Sequence, residues 1–204
     1  MSLRQQNKLK ARANILAAAE SLIAEHGIEA ARTRDIAEAA GVSYQTLYNY
    51  FPTKAEIARG ILESELEHFG AAADDVTKHY NGDLVSSLVR FLEICLDAVE
   101  RTGRELWAYV ATQALSSEIE SSDISALFKA AHEHYYALLN QARGRGDLQP
   151  DADLHLMSLA LFNLTDYAML RYFLEPIDDE TFLETQRQIF ALVVNPYLKA
   201  NDSL

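Results

Sequence analysis

Three side chains of one short predicted helix can recognise DNA bases. At about 100° per residue, Asn49 lies nearly opposite the apolar pair Leu47 and Phe51 on this helix. Gln45 and Thr46 flank Asn49 on the same outward side. Glutamine and asparagine amides can make two hydrogen bonds to adenine N6 and N7, and a threonine methyl can contact the methyl of thymine. We therefore expect this face to read bases in a major groove.

Tyrosines border this face, and a lysine follows it. Tyr48 and Tyr50 lie on its shoulders, where their hydroxyls suit phosphate oxygens, as does the ammonium of Lys54. The alternative is a small packing unit of three helices with a merely polar outer face. Outward Gln, Thr and Asn favour the first interpretation, because solvated helix faces are usually filled with Lys and Glu.

Two short helices joined by a tight turn are predicted to position these side chains. Thr33 can cap the first helix, and Gly41 supplies the backbone freedom needed to leave it. Ser43 can cap the second helix, and Pro52 prevents its continuation. Thr53 to Glu56 fits a capping box that starts another helix. This layout is that of a helix-turn-helix, whose second helix enters a DNA major groove.

The stretch IAEAAGVSYQTLYNYFPTKAEI, preceded by ILAAAESLIAEHGIEAARTRDIA, resembles the DNA-binding domain of the TetR/AcrR family of bacterial transcriptional regulators. The likeness covers about the first quarter of the chain, and the rest resembles the family in length, helical make-up and helix order. The resemblance implies a dimeric, all-helical repressor that binds a palindromic operator and is released by a small molecule. It also implies DNA contacts from Thr33, Arg34, Ser43, Tyr44, Gln45, Thr46, Tyr48, Asn49, Tyr50 and Lys54. Tyr44-Gln45 departs from the family, which often has a small or basic residue followed by glycine there.

The composition predicts an all-α fold, because the 204 residues include only 8 Gly and 4 Pro and much Ala, Leu and Glu. The turn residues along the chain divide it into about nine helices. We expect a helix-turn-helix domain over residues 1–52 and a helical ligand-binding and dimerisation domain over 53–204. The second domain begins with a connector helix at 53–69. The remaining long helices are predicted near 5–26, 83–101, 104–116, 122–144, 151–175 and 179–200.

The acidic charge lies outside the predicted DNA-binding region. The net charge is −12, yet residues 1–60 carry eight Lys or Arg against six Asp or Glu, whereas residues 61–204 carry ten against twenty-four. Arg4, Lys8 and Arg12 belong to an acid-free basic stretch at the start of the chain, which is either a phosphate or minor-groove contact or a solvated tail. DNA would repel the acidic remainder, which favours a position away from the duplex.

No membrane segment is predicted. The basic start is not followed by an apolar stretch, and no run of 18 uncharged apolar residues occurs, so we expect a cytoplasmic protein. The lone cysteine, Cys95, lies in the apolar run FLEICL and is interpreted as a buried reduced thiol, with a redox sensor as the alternative.

The last two helices are the predicted homodimer interface. The segment from Leu154 to Phe173 is apolar on nearly all sides, which is typical of a helix buried between its own domain and a partner. With the helix at about 179–200 it can form a two-fold four-helix interface, or both helices can complete a monomeric core. A dimer would place two recognition helices about 34–36 Å apart, one DNA turn.

A small, largely apolar effector is expected to bind among the middle helices, where aromatic residues mix with a few polar groups. Asn163 and Asp166 are the preferred polar candidates, because their burial in an apolar helix requires partners. Each candidate can also be an ordinary core or surface residue. The full predicted set is Phe91, Trp107, Gln113, Phe128, His132, Asn163, Asp166 and Tyr167.

An enzyme is the rival class, and it has little support. Glu65-x-x-His68 has the spacing of a di-iron carboxylate bundle, but no second copy occurs. His132 and His134 lie about 200° apart on a helix and cannot readily chelate one metal. We expect no catalysis, no cofactor and no metal. A helix-turn-helix that contacts other proteins is a further alternative, because residues 1–60 carry little positive charge.

Overall fold

The computed structural model describes residues 2–115 and 121–199. Within these ranges the chain forms α-helices and a 3-10 turn, with a single isolated β-bridge between Leu148 and Leu198. The prediction of an all-α fold is confirmed. None of the described helices combines the length and apolar character needed to cross a membrane. The helices are α1 (Leu3–His26), α2 (Thr33–Ala39), α3 (Tyr44–Tyr50), α4 (Lys54–Lys78), α5 (Leu84–Thr102), α6 (Arg104–Leu115), α7 (Ser121–Arg145), α8 (Leu154–Leu174) and α9 (Asp179–Val194).

The chain divides into two compact units. The N-terminal unit contains residues 1–66 and 102–119, and the C-terminal unit contains residues 67–101 and 120–204. This division differs from the predicted boundary after residue 52. The physical reason is packing, because the first half of α4 and part of α6 share one hydrophobic core with α1, α2 and α3.

The core of the N-terminal unit is built around the predicted inward stripe of α1. Ile15 and Ala19 are fully buried, and Leu22 packs against the same cluster. Gly60 of α4 approaches this core closely: a Cβ atom there would lie 2.9 Å from Leu16 Cδ2. The glycine therefore allows α4 to pack tightly in this unit.

The core of the C-terminal unit is formed by α5, α7, α8 and α9. Buried side chains follow helical spacing on α5, which gives this helix one apolar face. On α8 only one side is buried within the chain, and the opposite side is exposed. The main buried residues of the C-terminal core are Leu88, Phe91, Leu92, Leu138, Leu139, Leu161 and Phe190.

Two helices end at positions that differ from the predictions. α4 continues past Phe69 to Lys78, because the alanines after Gly70 sustain the helix. α9 ends at Val194 rather than near residue 200, and Pro196 lies within the 3-10 turn that follows. The segment after it is held by a backbone hydrogen bond of 2.9 Å from Gln149 N to the carbonyl of Tyr197.

Candidate nucleic-acid interface

The turn between α2 and α3 depends on Gly41. This residue has φ +67°, in the left-handed region that favours glycine. Val42 N donates to the carbonyl of Ala37 at 3.0 Å, which closes the turn. Thr33, predicted as a cap, is instead the first residue of α2, and the side chain of Arg32 at the N-cap position makes no capping hydrogen bond. The prediction of a Thr33 cap is therefore wrong.

The position of α3 is fixed by its ends and its inner face. Leu47 is 1% exposed and Phe51 is 4% exposed, as their spacing predicts. Ser43 Oγ accepts a hydrogen bond of 3.0 Å from Thr46 N, so the predicted cap is confirmed. Phe51 leaves the helix with extended backbone, as a residue before proline should. Thr53 Oγ1 accepts a hydrogen bond of 3.2 Å from Glu56 N at the start of α4, which is one of the two bonds of the predicted capping box.

The outer face of α3 is polar and aromatic. Tyr44, Gln45, Tyr48 and Asn49 are exposed, whereas Thr46 is half-buried. Two of the predicted neighbours also border this face: Ser43 is exposed, and the half-buried Tyr50 packs partly against the core. The helical phase predicted from the sequence is therefore confirmed, and the outer face is available to a partner.

Neighbouring side chains on this face are bonded to one another. Gln45 Nε2 donates a hydrogen bond of 3.2 Å to Asn49 Oδ1. The hydroxyls of Ser43 and Thr46 share a hydrogen bond of 2.8 Å. From α2, the guanidinium of Arg34 lies 5.8 Å from the ring centroid of Tyr44, a cation–π contact. These contacts hold the polar groups in place on the surface.

Lys54 has a structural role that the sequence does not reveal. Its Nζ donates hydrogen bonds to the carbonyls of Ile28 at 2.8 Å and Glu29 at 3.0 Å. These carbonyls lie in the loop after α1, so Lys54 ties the start of α4 to that loop. An ammonium has three N–H donors, which leaves one for a phosphate.

The basic start of the chain is helical. Ser2 and Gln5 form a capping box that begins α1 at Leu3. Arg12 forms an ion pair with the carboxylate of Glu63, and this carboxylate also accepts a hydrogen bond of 2.9 Å from Arg59. The Arg12 guanidinium lies over the ring of Phe51. Arg12 therefore contributes to packing in the N-terminal unit, whereas Lys8 and Lys10 remain exposed.

The residues predicted to bind an effector are distributed over both units. Trp107 and Gln113 belong to the N-terminal unit, where Trp107 packs against the core and its Nε1 donates 2.7 Å to Thr102 Oγ1. The side chain of Phe128 lies outside the described residues. Phe91, in the C-terminal unit, is a core residue that meets the ring of Tyr135 edge-on at 5.8 Å.

Asn163, Asp166 and Tyr167 do not lie in the interior of the C-terminal unit. All three are on the exposed side of α8. The polar residues that α8 buries are Ser158 and Thr165, which lie seven apart and therefore share the inner face. Size and polarity suggested the first three residues, whereas the packing of α8 against α7 buries the latter two.

The buried polar groups of α8 have partners on α7. Tyr135 donates a hydrogen bond of 3.0 Å to Thr165 Oγ1, and burial raises the pKa of Tyr135 above its usual value. Ser158 Oγ donates a hydrogen bond of 2.9 Å to the carbonyl of His155, and it lies 2.9 Å from His132 Nε2. His132, the predicted polar contact, is thus held against a fully buried hydroxyl.

Large apolar side chains are exposed on α8, and Leu192 adds one on α9, whose other exposed residues are polar. Tyr167 is 65% exposed, Leu156 is 61% exposed and Leu192 is 81% exposed. A groove of about 340 Å³ runs between the two helices and is lined by Leu164, Tyr167, Phe182 and Gln186 among others. Gln186 is almost fully buried, and its Oε1 has no hydrogen-bond partner within the described chain.

Among the described residues, no cluster of three His, Cys, Asp or Glu side chains is arranged to hold a metal ion. Burial raises the pKa of Cys95 to about 12, so the thiol stays protonated at neutral pH.

These elements define a helix-turn-helix DNA-binding domain. A short helix is anchored by its inner face after a glycine turn, and it presents amides and tyrosines outward. Amides and hydroxyls at such positions can contact base edges and phosphates.

Known proteins share both the motif and the fold. A model of the family of bacterial regulatory proteins called tetR matches residues 15–61. The chain is 30% identical over 172 residues to the HTH-type transcriptional regulator TtgR of Pseudomonas putida, covering 81% of each chain. It is 26% identical over 189 residues to the HTH-type transcriptional repressor KstR2 of Mycobacterium tuberculosis, covering 92% of this chain and 93% of the relative.

A solved structure has the same fold. The crystal structure of Thermus thermophilus FadR, a TetR-family transcriptional repressor in complex with lauroyl-CoA, superposes with a TM-score of 0.69 at 20% identity. The superposition covers 95% of this chain and 98% of the FadR chain. The chain belongs to the tetR family of bacterial regulatory proteins. It is a DNA-binding transcriptional regulator and not an enzyme.

Proposed function

We propose that this protein represses transcription by binding a palindromic operator as a homodimer and that a small molecule releases it. The observation that carries the proposal is the outer face of α3, where Gln45 and Asn49 are exposed on a helix with a fixed inner face. In this proposal Gln45, Thr46 and Asn49 contact bases, and the other predicted DNA contacts are Thr33, Arg34, Ser43, Tyr44, Tyr48, Tyr50 and Lys54.

The proposed dimer forms through α8 and α9. Their exposed side carries large apolar residues, including Leu156, Tyr167 and Leu192, and contiguous exposed apolar surface is typical of a protein interface. A two-fold arrangement of these helices gives each chain the same self-complementary surface. Two copies of α3 can then read two half-sites one DNA turn apart, about 34–36 Å.

The proposed effector is small and largely apolar, and it binds in the C-terminal unit. The support is that His132 and Phe162 lie together on α7 and α8, with ring centroids 6.2 Å apart, beside the buried hydroxyl of Ser158. Such a mixture of aromatic and hydrogen-bonding groups suits an apolar ligand with one polar end. Related structures contain lauroyl-CoA in Thermus thermophilus FadR and triclosan in SmeT.

Release requires that the effector favour a conformation that DNA disfavours. Coupling of this kind is typically about 1–3 kcal/mol, or roughly 5- to 150-fold in DNA affinity. The test measures the affinity of the purified protein for its selected operator with and without saturating lauroyl-CoA, free lauric acid or triclosan. At least one should weaken binding within that range, and equal affinity with all three would contradict an effector of this apolar class.

A further inference from the structure

We infer that Gln45 and Asn49 act as one recognition unit that reads a single purine and selects adenine over guanine. The inference rests on the proposed function, in which the outer face of α3 reads bases. It adds the identity of the base and the joint action of the two side chains.

The two amides are already connected in the free protein. They lie four residues apart on α3, and Gln45 Nε2 donates a hydrogen bond of 3.2 Å to Asn49 Oδ1. Both side chains are exposed, and the bond between them forms in the absence of DNA. Side chains ordered in advance lose less conformational freedom on binding.

The backbone beneath the pair is also fixed. Leu47, between the two residues, is buried in the core, and the Ser43 cap holds the first turn of α3. The hydroxyls of Ser43 and Thr46 bond to each other. Gln45 and Asn49 therefore provide the amide donors and acceptors at the centre of this face.

The bond between the amides determines which groups they can offer. Gln45 retains the acceptor Oε1 and one N–H of Nε2, and Asn49 retains both N–H donors of Nδ2. Together they present an acceptor from one residue and a donor from the other.

Adenine matches this arrangement and guanine does not. In the major groove adenine presents a donor at N6 and an acceptor at N7, whereas guanine presents acceptors at both O6 and N7. Adenine N6–H can donate to Gln45 Oε1 while Asn49 Nδ2–H donates to N7. Guanine in the same position would place its O6 against Gln45 Oε1, leaving two acceptors opposed unless the Gln45 amide turns over and gives up its bond to Asn49, and such an arrangement disfavours the wrong partner.

The test begins with an operator selected from random DNA by the unaltered protein. Each adenine of a half-site is then changed to guanine, and affinity is measured for the unaltered protein, Gln45→Ala, Asn49→Ala and the double variant. We expect one position at which guanine weakens binding by roughly 5- to 150-fold. Both single variants should lose discrimination at that same position, and the double variant should lose little more.

An exposed amide away from the recognition helix provides the matched control. Asn140→Ala removes an exposed amide of α7 that accepts a hydrogen bond of 3.2 Å from Arg143, and it should leave the adenine preference unchanged. Asn49→Asp retains the acceptor for Gln45 but removes the donor for N7, so it should lose the preference as Asn49→Ala does. Circular dichroism and the melting temperature establish that each variant is folded.

The outcomes separate this inference from the proposed function. If single variants relax different base pairs, or if their effects multiply in the double variant, the two residues read independently and the inference is overturned. The same holds if guanine is preferred at the shared position. If no DNA sequence is enriched by the unaltered protein, the proposed function fails, and the inference fails with it.

Discussion

Two exposed surfaces of this protein differ in the polarity and hydrogen bonding of their side chains. On α3, the exposed polar side chains bond to one another, as Gln45 does to Asn49. On α8, many exposed side chains are large and apolar, Leu192 of α9 adds to them, and the side-chain carbonyl of Gln186 beside the groove has no donor within the described chain. The polar surface is compatible with water until DNA arrives, whereas an extended apolar surface is stabilised by permanent cover. In the proposed function, the polar surface makes a reversible contact with DNA and the apolar surface makes a constitutive contact between two copies.

The largest expected effect is loss of the dimer when charge is placed on the apolar surface. Tyr167→Asp puts a carboxylate on its most exposed aromatic residue, and disrupting such a hot spot costs about 2–4 kcal/mol, roughly 30- to 1,000-fold in dimer affinity. Sedimentation equilibrium measures the change. Tyr136→Asp, at an exposed tyrosine of α7, is the matched control. Equal behaviour of both variants would show that the α8–α9 surface has no special role.

The next effect concerns Lys54, which donates hydrogen bonds to two backbone carbonyls of the N-terminal unit. Lys54→Met should lower the free energy of unfolding by about 1–2 kcal/mol, because the carbonyls of Ile28 and Glu29 lose a charged donor. If its third N–H also meets a phosphate, the slope of DNA affinity against salt should fall by about one. Chemical denaturation and binding at several salt concentrations measure both quantities. Lys10→Met, at an exposed lysine of α1, should leave stability unchanged.

Replacement of the buried amide near the groove should stabilise the protein. Gln186→Met keeps the approximate shape of the side chain and removes its amide oxygen, which accepts no hydrogen bond within the described chain. This change should raise the free energy of unfolding by about 1 kcal/mol. Urea denaturation measures the change, and Gln188→Met on the exposed side of α9 is the control. A loss of stability at position 186 alone would show that the assembled protein supplies a donor to this oxygen.

The smallest effect is a pH dependence on α8. Asp166 lies on the exposed side of α8, but partial desolvation by its neighbours raises the pKa of its carboxyl, so its charged form is less favourable in the folded chain than in the unfolded one. Asp166→Asn should therefore increase stability at pH 7. The gain should shrink as the pH falls through the folded pKa and vanish below the ordinary aspartate pKa of about 3.9, where both states are protonated. Melting temperatures at pH 7, 5.5 and 4 measure it, and a gain that is constant with pH would exclude a titration effect.

The helix-turn-helix could be predicted from the sequence because its determinants are local. Gly41, the Ser43 cap, Pro52 and the spacing of Leu47 and Phe51 each act within a few residues, and the structure confirms all of them. The cap assigned to Thr33 is wrong because the helix starts one residue earlier in the chain than a Thr33 cap requires. Local rules thus identify the element more reliably than its first residue.

Contacts that are distant in sequence could not be predicted. Lys54 meets carbonyls about 25 residues earlier, and the first half of α4 joins the N-terminal core, which moves the unit boundary beyond residue 52. For α8, the choice of Asn163 and Asp166 followed polarity, whereas burial follows the phase set by α7 packing and selects Ser158 and Thr165. Packing partners decide such questions, and a single helix does not carry that information.

In the proposed function, two copies joined through the apolar surface read two half-sites through the polar one. The stoichiometry and footprint of the purified protein on an operator selected from random DNA measure this directly. We expect an even number of chains, two per palindromic site, with half-site centres about 10 base pairs apart. A single chain bound to one unrepeated half-site would contradict it.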